Sequence, residues 1–341
     1  MITKKLFGTT SNGEEVYEYT LTRGGMSAGI LTLGCVVHSL VVPDKNGVPT
    51  DVVLGYDDVA GYEYGTTYFG VFVGRFANRL LASRFEIDGK EYRLIPNDGK
   101  NHLHGTYTTR VFNAEVQGEE LLLTLTSPDG EEGFPGELDV CVKYSLTDKG
   151  GLRMEYTAHT DKPTVVNFTN HSYFNLNGGR GDILSHTLRI DAESYTEGNA
   201  ETCPTGRILP VKGTPLDFTA EKPVGRDINA RECHVDTYHG YDHNFCISGD
   251  ITRPCARLRS PESGIAMEVY TTQPGVQLYT GNFIAEGKYH SGKGVVYEKH
   301  SGLCLETQHY PCSPAFDDFP STLLRTNEEY RQITEYRFTW E

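Results

Sequence analysis

Cysteines are present but nowhere paired in the C-x-x-C spacing of a metal or redox site. Cys35, Cys141, Cys203, Cys233, Cys246, Cys255, Cys304 and Cys312 are scattered along the chain. Such thiols argue against a zinc ribbon or a disulfide framework and fit a reducing compartment. Positive charge is scarce: 31 Lys+Arg stand against 46 Asp+Glu, a formal net charge of −15. With no basic run and no alternation of Arg with aromatics, nucleic acid and anionic membranes are not expected partners. No window approaches the roughly eighteen apolar residues of a membrane span, and "MITKKLFGTTSNGEE" lacks the apolar stretch of a secretory leader. A cytoplasmic protein is expected.

Helical periodicity is also missing beyond a turn or two, and 37 glycines and 16 prolines punctuate nearly every segment. What is present is alternation with period two. Val140, Val142, Tyr144 and Leu146 oppose Cys141, Lys143, Ser145 and Thr147, and Leu152, Met154, Tyr156 and Ala158 repeat the pattern across "TDKGG", a hairpin signature. Similar alternation marks residues 188–192, 265–271 and "YRQITEYRFTW". The economical reading is all-β with very little helix. No repeat, linker or composition shift marks a boundary, so a single domain over 1–341 is expected. Residues 61–110 lack clear alternation and form the longest irregular stretch, the kind of segment that carries sites over a rigid sheet.

Five short clusters hold groups that can move a proton or bind hydroxyls. "NFTNHSYFNL" sets His171 among Asn167, Asn170, Asn175, Ser172 and Tyr173, polar groups that are costly to bury unpartnered. "GRFANRL" supplies Arg75, Asn78 and Arg79, which a surface arginine pair would also explain. "NHLHGT" sets His102 and His104 on one face of a strand, an H-x-H pair that invites a metal; Thr108 and Thr109 stand where a cupin-type glutamate should follow. A lone His104 donating to a ligand oxygen fits better, with Gly105 allowing close backbone approach. "HGYDHNF" offers His239 and His243, weak as a metal pair, and Asp242, either a turn residue or an acceptor for a sugar diol. In "LCLETQHYP", Glu306 points away from Leu303 and Leu305; it is either solvated or, if buried, raised from about 4.3 toward the range of a neutral-pH base.

Taken in order, "GRFANRL", "NHLHG", "NFTNHSYFNL", "DHNF", "QPGVQLYTGN" and "CLETQ" resemble the aldose 1-epimerase (galactose mutarotase) family, as does "CPTGRILPVKGTPLDF". The resemblance spans most of the chain. It implies a large antiparallel β-sandwich, with Glu306 as general base, His171 as general acid, and Asn78, Arg79, His104, Tyr173, Asp242 and Gln277 as substrate-holding groups. It also implies a free hexose such as galactose or glucose as substrate, with no cofactor and no metal. Thr106 after "NHLHG", the stretch "CSPAFDDFP", and "TEGNAETCPTG" without a proline–aspartate pair depart from the family pattern and bear on sugar preference.

The expected chemistry is interconversion of anomers by ring opening and closure, with a histidine near its ordinary pKa of about 6.5 and a raised carboxylate acting across the sugar ring. The competing class is a non-catalytic carbohydrate-binding β-sandwich. An enzyme for phosphorylated hexoses ranks below both, because only Arg75, Arg79 and Arg110 lie near the motifs. A small-molecule aldose is the expected partner of a monomer or weak homodimer.

Overall fold

A strand that alternates apolar and polar side chains needs one dry face and one wet face. The computed structural model, which describes residues 1–286 and 288–341, supplies both. The predicted hairpin pairs Leu138–Thr147 with Gly151–Thr160, Val142 lying opposite Tyr156, and its apolar set is buried. This hairpin belongs to a nine-stranded antiparallel sheet ordered Asn113–Gln117, Glu120–Ser127, Leu138–Thr147, Gly151–Thr160, Tyr330–Trp340, Ile265–Thr271, Ala256–Arg259, Thr187–Ile190, Lys222–Pro223. Two five-stranded sheets cover its inner face. One runs from Ile2–Thr9 to Pro49–Asp51 in chain order; the other is ordered Pro204–Pro210, Ser194–Gly198, Asp242–Cys246, Gly275–Tyr279, Cys304–Gln308.

One continuous core joins the three sheets. Tyr144, Met154, Tyr156 and Tyr336 of the large sheet pack with Leu21 and Ile30 of one cover and Val276, Leu278 and Leu305 of the other. Burying each such side chain contributes about 1.5 to 3 kcal/mol. Tyrosine hydroxyls then lock the layers in register: Tyr144 donates to the Cys35 carbonyl at 2.7 Å and Tyr336 to the Leu305 carbonyl at 3.1 Å. The described residues contain one α-helix, Val59–Tyr64, capped by the Asp58 side chain. Among the described residues, no helix is long and apolar enough to cross a membrane.

Arg75 departs from the surface reading of its motif. It is almost fully buried, with Nη1 donating to the carbonyls of Pro135 and Gly136 at 3.1 and 2.9 Å and Nη2 reaching Ser127. It thereby clamps the irregular stretch 61–110 to the loop before the long hairpin. Arg75→Met leaves these acceptors unpaired and is expected to cost about 3 kcal/mol in urea unfolding. A loss under about 1 kcal/mol would show that the clamp is dispensable.

Candidate active site

The site is built on the face of three neighbouring strands. Asp242–Cys246, Gly275–Tyr279 and Cys304–Gln308 lie side by side, so directly opposed residues point the same way. One cross-strand row is Asn244, Gln277, Glu306; the next is Asp242, Tyr279, Cys304. The row between them, His243, Leu278, Leu305, faces the opposite side, where both leucines join the core. Period two thus sends polar groups to one side and leucines to the other.

His171 is brought in by backbone pairing. Phe174 and Leu303 exchange hydrogen bonds of 2.7 and 3.0 Å, joining its segment to the start of the Glu306 strand. On the other side Thr169–Asn170 pairs with Phe72–Val73. The asparagines serve this backbone, not the ring. Asn170 donates to the Gly70 carbonyl at 2.9 Å and accepts from Ser172, Asn175 donates to the Ser301 carbonyl at 2.8 Å, and Asn167 bridges Ala77 and His309. They fix the segment that carries the imidazole without touching the ring. The ring is held by Cys304, whose sulfur is 3.4 Å from Nδ1, and by Tyr173, stacked at 5.1 Å.

His171 Nε2 stands 3.6 Å from Glu306 Oε1. The two side chains therefore stand side by side on one wall, not on opposite sides of a sugar ring as expected. Both line a cavity of about 190 Å³ with Asn78, Arg79, His104 and Asp242; Tyr68, Tyr173, Tyr279 and Phe283 supply aromatic surface and Thr66 and Leu103 complete the wall. A wider cleft of about 660 Å³ near Lys222 lies away from this chemistry, its amine already engaged by the Pro215 carbonyl and Asp227.

Local backbone geometry aims the remaining groups. His104 has φ +62°, which swings it off the His102 face toward Tyr68 and His171. The expected shared face of the two histidines is thus not formed. His102 is buried elsewhere, with Nδ1 against the Ile95 carbonyl and a ring contact to Phe134. Gly105, at φ +72°, lies against the Gly74 carbonyl, which an added Cβ would meet at 2.4 Å. The Asn78 amide donates to His104 Nδ1 at 3.2 Å, so a neutral His104 carries its proton on Nε2 as a donor. Arg79 donates through Nε to Asp98 at 2.7 Å. Gln277 does not line the cavity; its amide donates to Asp242 at 2.6 Å and steadies that carboxyl. His243 is bonded to the Cys233 carbonyl at 2.7 Å and belongs to the scaffold, while His239 is exposed.

Burial dominates the electrostatics. It pushes the Glu306 carboxyl well above the usual carboxylate range, with Asp242 adding to the rise and Arg79 opposing it. The same desolvation lowers His171 to about 4, against its own carbonyl, and holds His104 well below the ordinary histidine value. The expected near-normal histidine is corrected: imidazolium is costly in a dry pocket. Asp242 is raised by burial and pulled back by Arg79 and Gln277. Burial thus favours the uncharged form of both groups. His104, His171 and Glu306 also present one donor atom each within 4.8 Å of one another. A tetrahedral zinc shell brings ligand atoms to about 3.3 Å, so the spacing suits proton exchange better than a metal.

Tyr68, Tyr279 and Cys304 were missed in the sequence. Period two counted from Glu306 reaches Cys304, and from Gln277 reaches Tyr279; Tyr68 lies in the irregular stretch and carries no such signal.

A buried carboxyl in contact with a buried imidazole, beside polar hydrogen-bonding side chains on a β-sandwich, suits a class of enzyme that moves protons on a polyhydroxylated substrate. The chain belongs to the aldose 1-epimerase family, whose profile matches residues 17–337. It is 44% identical to galactose mutarotase of Mus musculus and 42% identical to that of Homo sapiens, each alignment covering 99% of this chain and 98% of the relative. Aldose 1-epimerase of Escherichia coli is 34% identical over 92% of both chains. Among solved structures, an aldose epimerase homologue from C. elegans superposes with a TM-score of 0.86 at 31% identity, covering 94% of this chain and 98% of that one. Galactose 1-epimerase from Lactobacillus acidophilus gives 0.87 at 26% identity, covering 99% and 98%.

The raised Glu306 carboxyl has a direct signature. Infrared difference spectra between the parent protein and Glu306→Gln, taken without sugar at neutral pH, are expected to show a protonated-carboxyl stretch. A carboxylate band in its place would contradict the electrostatic reading.

Proposed function

We propose that Glu306 and His171 open and close the ring of a free aldose, Glu306 acting at the C1 hydroxyl and His171 at the ring oxygen. As a member of its family the chain is an isomerase that interconverts α and β anomers of free aldoses. The observation that carries the residue assignment is the 3.6 Å contact between a buried carboxyl and a buried imidazole on one wall of the cavity. The two oxygens that trade protons are bonded to the same carbon, so their partners must be neighbours. Opening uses a carboxylate and an imidazolium, the same single proton as the resting pair, shifted from Glu306 to His171 as hydroxyls enter. The carboxylate takes the O1 proton, the C1–O5 bond breaks, and imidazolium protonates O5. The result is an aldehyde facing a protonated Glu306 and a neutral His171. Rotation about C1–C2 exposes the other carbonyl face, and closure reverses both transfers.

His104, Arg79 and Asn78 donate to sugar oxygens in this reading, Asp242 accepts from hydroxyls, and the tyrosines cover the apolar face of the ring. A phosphorylated hexose is disfavoured by the positions of the other arginines: Arg75 is spent on carbonyls and Arg110 pairs with Glu131. A mere binder has no use for the paired acid and base. We assign the reaction to the cytoplasm, with a monomer or weak homodimer as the working form; the eight free cysteines support a reducing compartment.

Glu306→Gln is expected to bind sugar and lose about 10² to 10⁴ in turnover, followed by polarimetry on freshly dissolved α-D-galactose or α-D-glucose. Retention of more than about a tenth of the rate would sink the base assignment. The pH profile is a second check. Below the lowered His171 value the pair takes up a second proton and no base is left; above the raised Glu306 value it loses its only one. The acid limb of kcat/KM is therefore expected near pH 4. A limb between about 6 and 7, the range of an unburied histidine, would mean that His171 is not desolvated in the working enzyme.

A further inference from the structure

The mechanism asks something of His171 that Glu306 does not supply. When imidazolium gives up its Nε2 proton, the neutral ring that remains carries its proton on Nδ1. Free imidazole side chains in water favour the other tautomer, so the site must hold a proton on Nδ1. Elsewhere in proteins this is done by a carbonyl or carboxylate acceptor. Here the side chain at Nδ1 is Cys304, with its sulfur at 3.4 Å, and the backbone carbonyl of His171 itself also favours the charged ring. Cys304 is fully buried and projects from the same face of its strand as Glu306, two residues on. One strand therefore places a group against each nitrogen of the imidazole.

The chemistry of that acceptor matters. Burial, reinforced by the Glu306 and Asp242 carboxyls, pushes the thiol well above its ordinary value, so the sulfur stays uncharged. A carboxylate at the same place would favour imidazolium and make it a poorer acid. The other titratable groups facing the ring are Glu306, His104, Tyr68, Tyr173 and Tyr279, and of these only Glu306 is in a position to attract a positive ring. A weakly basic ring oxygen needs a strong acid.

We infer that Cys304 is a positioning residue for His171: its uncharged sulfur accepts a hydrogen bond from Nδ1–H and so commits Nε2 to the sugar without weakening the acid. The inference rests on His171 being the general acid.

The test reads the tautomer in the intact protein. Imidazole-¹⁵N spectra of the sugar-free enzyme at pH 7, with His171 assigned by its loss in His171→Asn, are expected to show the Nδ1–H form. An Nε2–H ring, as would follow if the thiol donated to Nδ1, overturns the inference. Cys304→Ala is expected to shift His171 toward Nε2–H and to lower kcat about tenfold with KM within about twofold, and Cys304→Ser to recover most of the loss. Parent-like kcat in the alanine variant, or a serine variant no better than alanine at equal melting temperature, would also overturn it. Failure of the underlying assignment looks different: His171→Asn would then keep its turnover, whereas failure at Cys304 alone leaves that variant inactive.

Discussion

Everything at this site follows from setting a carboxyl and an imidazole, both almost fully buried, 3.6 Å apart on one cavity wall. A solvated glutamate and a solvated histidine would settle as an ion pair, each comfortable in its charged form. Removing solvent reverses both preferences, so the pair rests neutral while remaining one proton shift away from the charged form. In the reaction proposed above, the hydroxyls of an entering sugar supply the polarity that makes the charged form of the pair accessible.

Such a pair demands an unusually firm scaffold, since a buried carboxyl that strayed would lose its partners without gaining solvent. The firmness comes from the sheet on one side and from backbone bonds on the other. Cross-strand rows set Glu306 beside Gln277 and Cys304 beside Tyr279, while the Phe174–Leu303 bridge fixes the distance of His171. The groups assigned to hydroxyl binding sit mainly on the irregular stretch: Asn78 and His104 both occupy left-handed backbone there, at φ +62° each. Glu306 rests on a strand and His171 on the segment bonded to the start of that strand, while most of the groups proposed for recognition come from the stretch that Arg75 clamps.

The fold was legible because half-buried strands write their two faces into the sequence. Val140 to Leu146 and Leu152 to Ala158 needed nothing beyond period two. The same period carried Glu306 to the correct side of its strand. What it could not carry was depth: nothing in "LCLETQ" distinguishes a carboxyl on a wet edge from one sealed beneath a second layer, and the resemblance to a family decided the matter. Nor could spacing show that Arg75 and Arg79, four residues apart in one motif, go to a carbonyl clamp and a pocket wall, or that His102 and His104 part company. Those outcomes depend on single left-handed residues, which period counting does not detect. The lowered His171 was likewise out of reach, because desolvation belongs to the assembled layers.

The position of the strand Tyr330–Trp340 has a consequence for how the protein is made. It lies in the middle of the nine-stranded sheet, between Gly151–Thr160 and Ile265–Thr271, although it is the last strand in chain order. Until it is delivered, the two halves of the sheet present facing open edges, and Tyr336 cannot brace the Leu305 carbonyl behind the catalytic strand. A growing chain can therefore fold its hairpins early yet stay without a braced pair until Tyr330–Trp340 has left the ribosome. For the interval before that, the cell must shelter two unpaired edges.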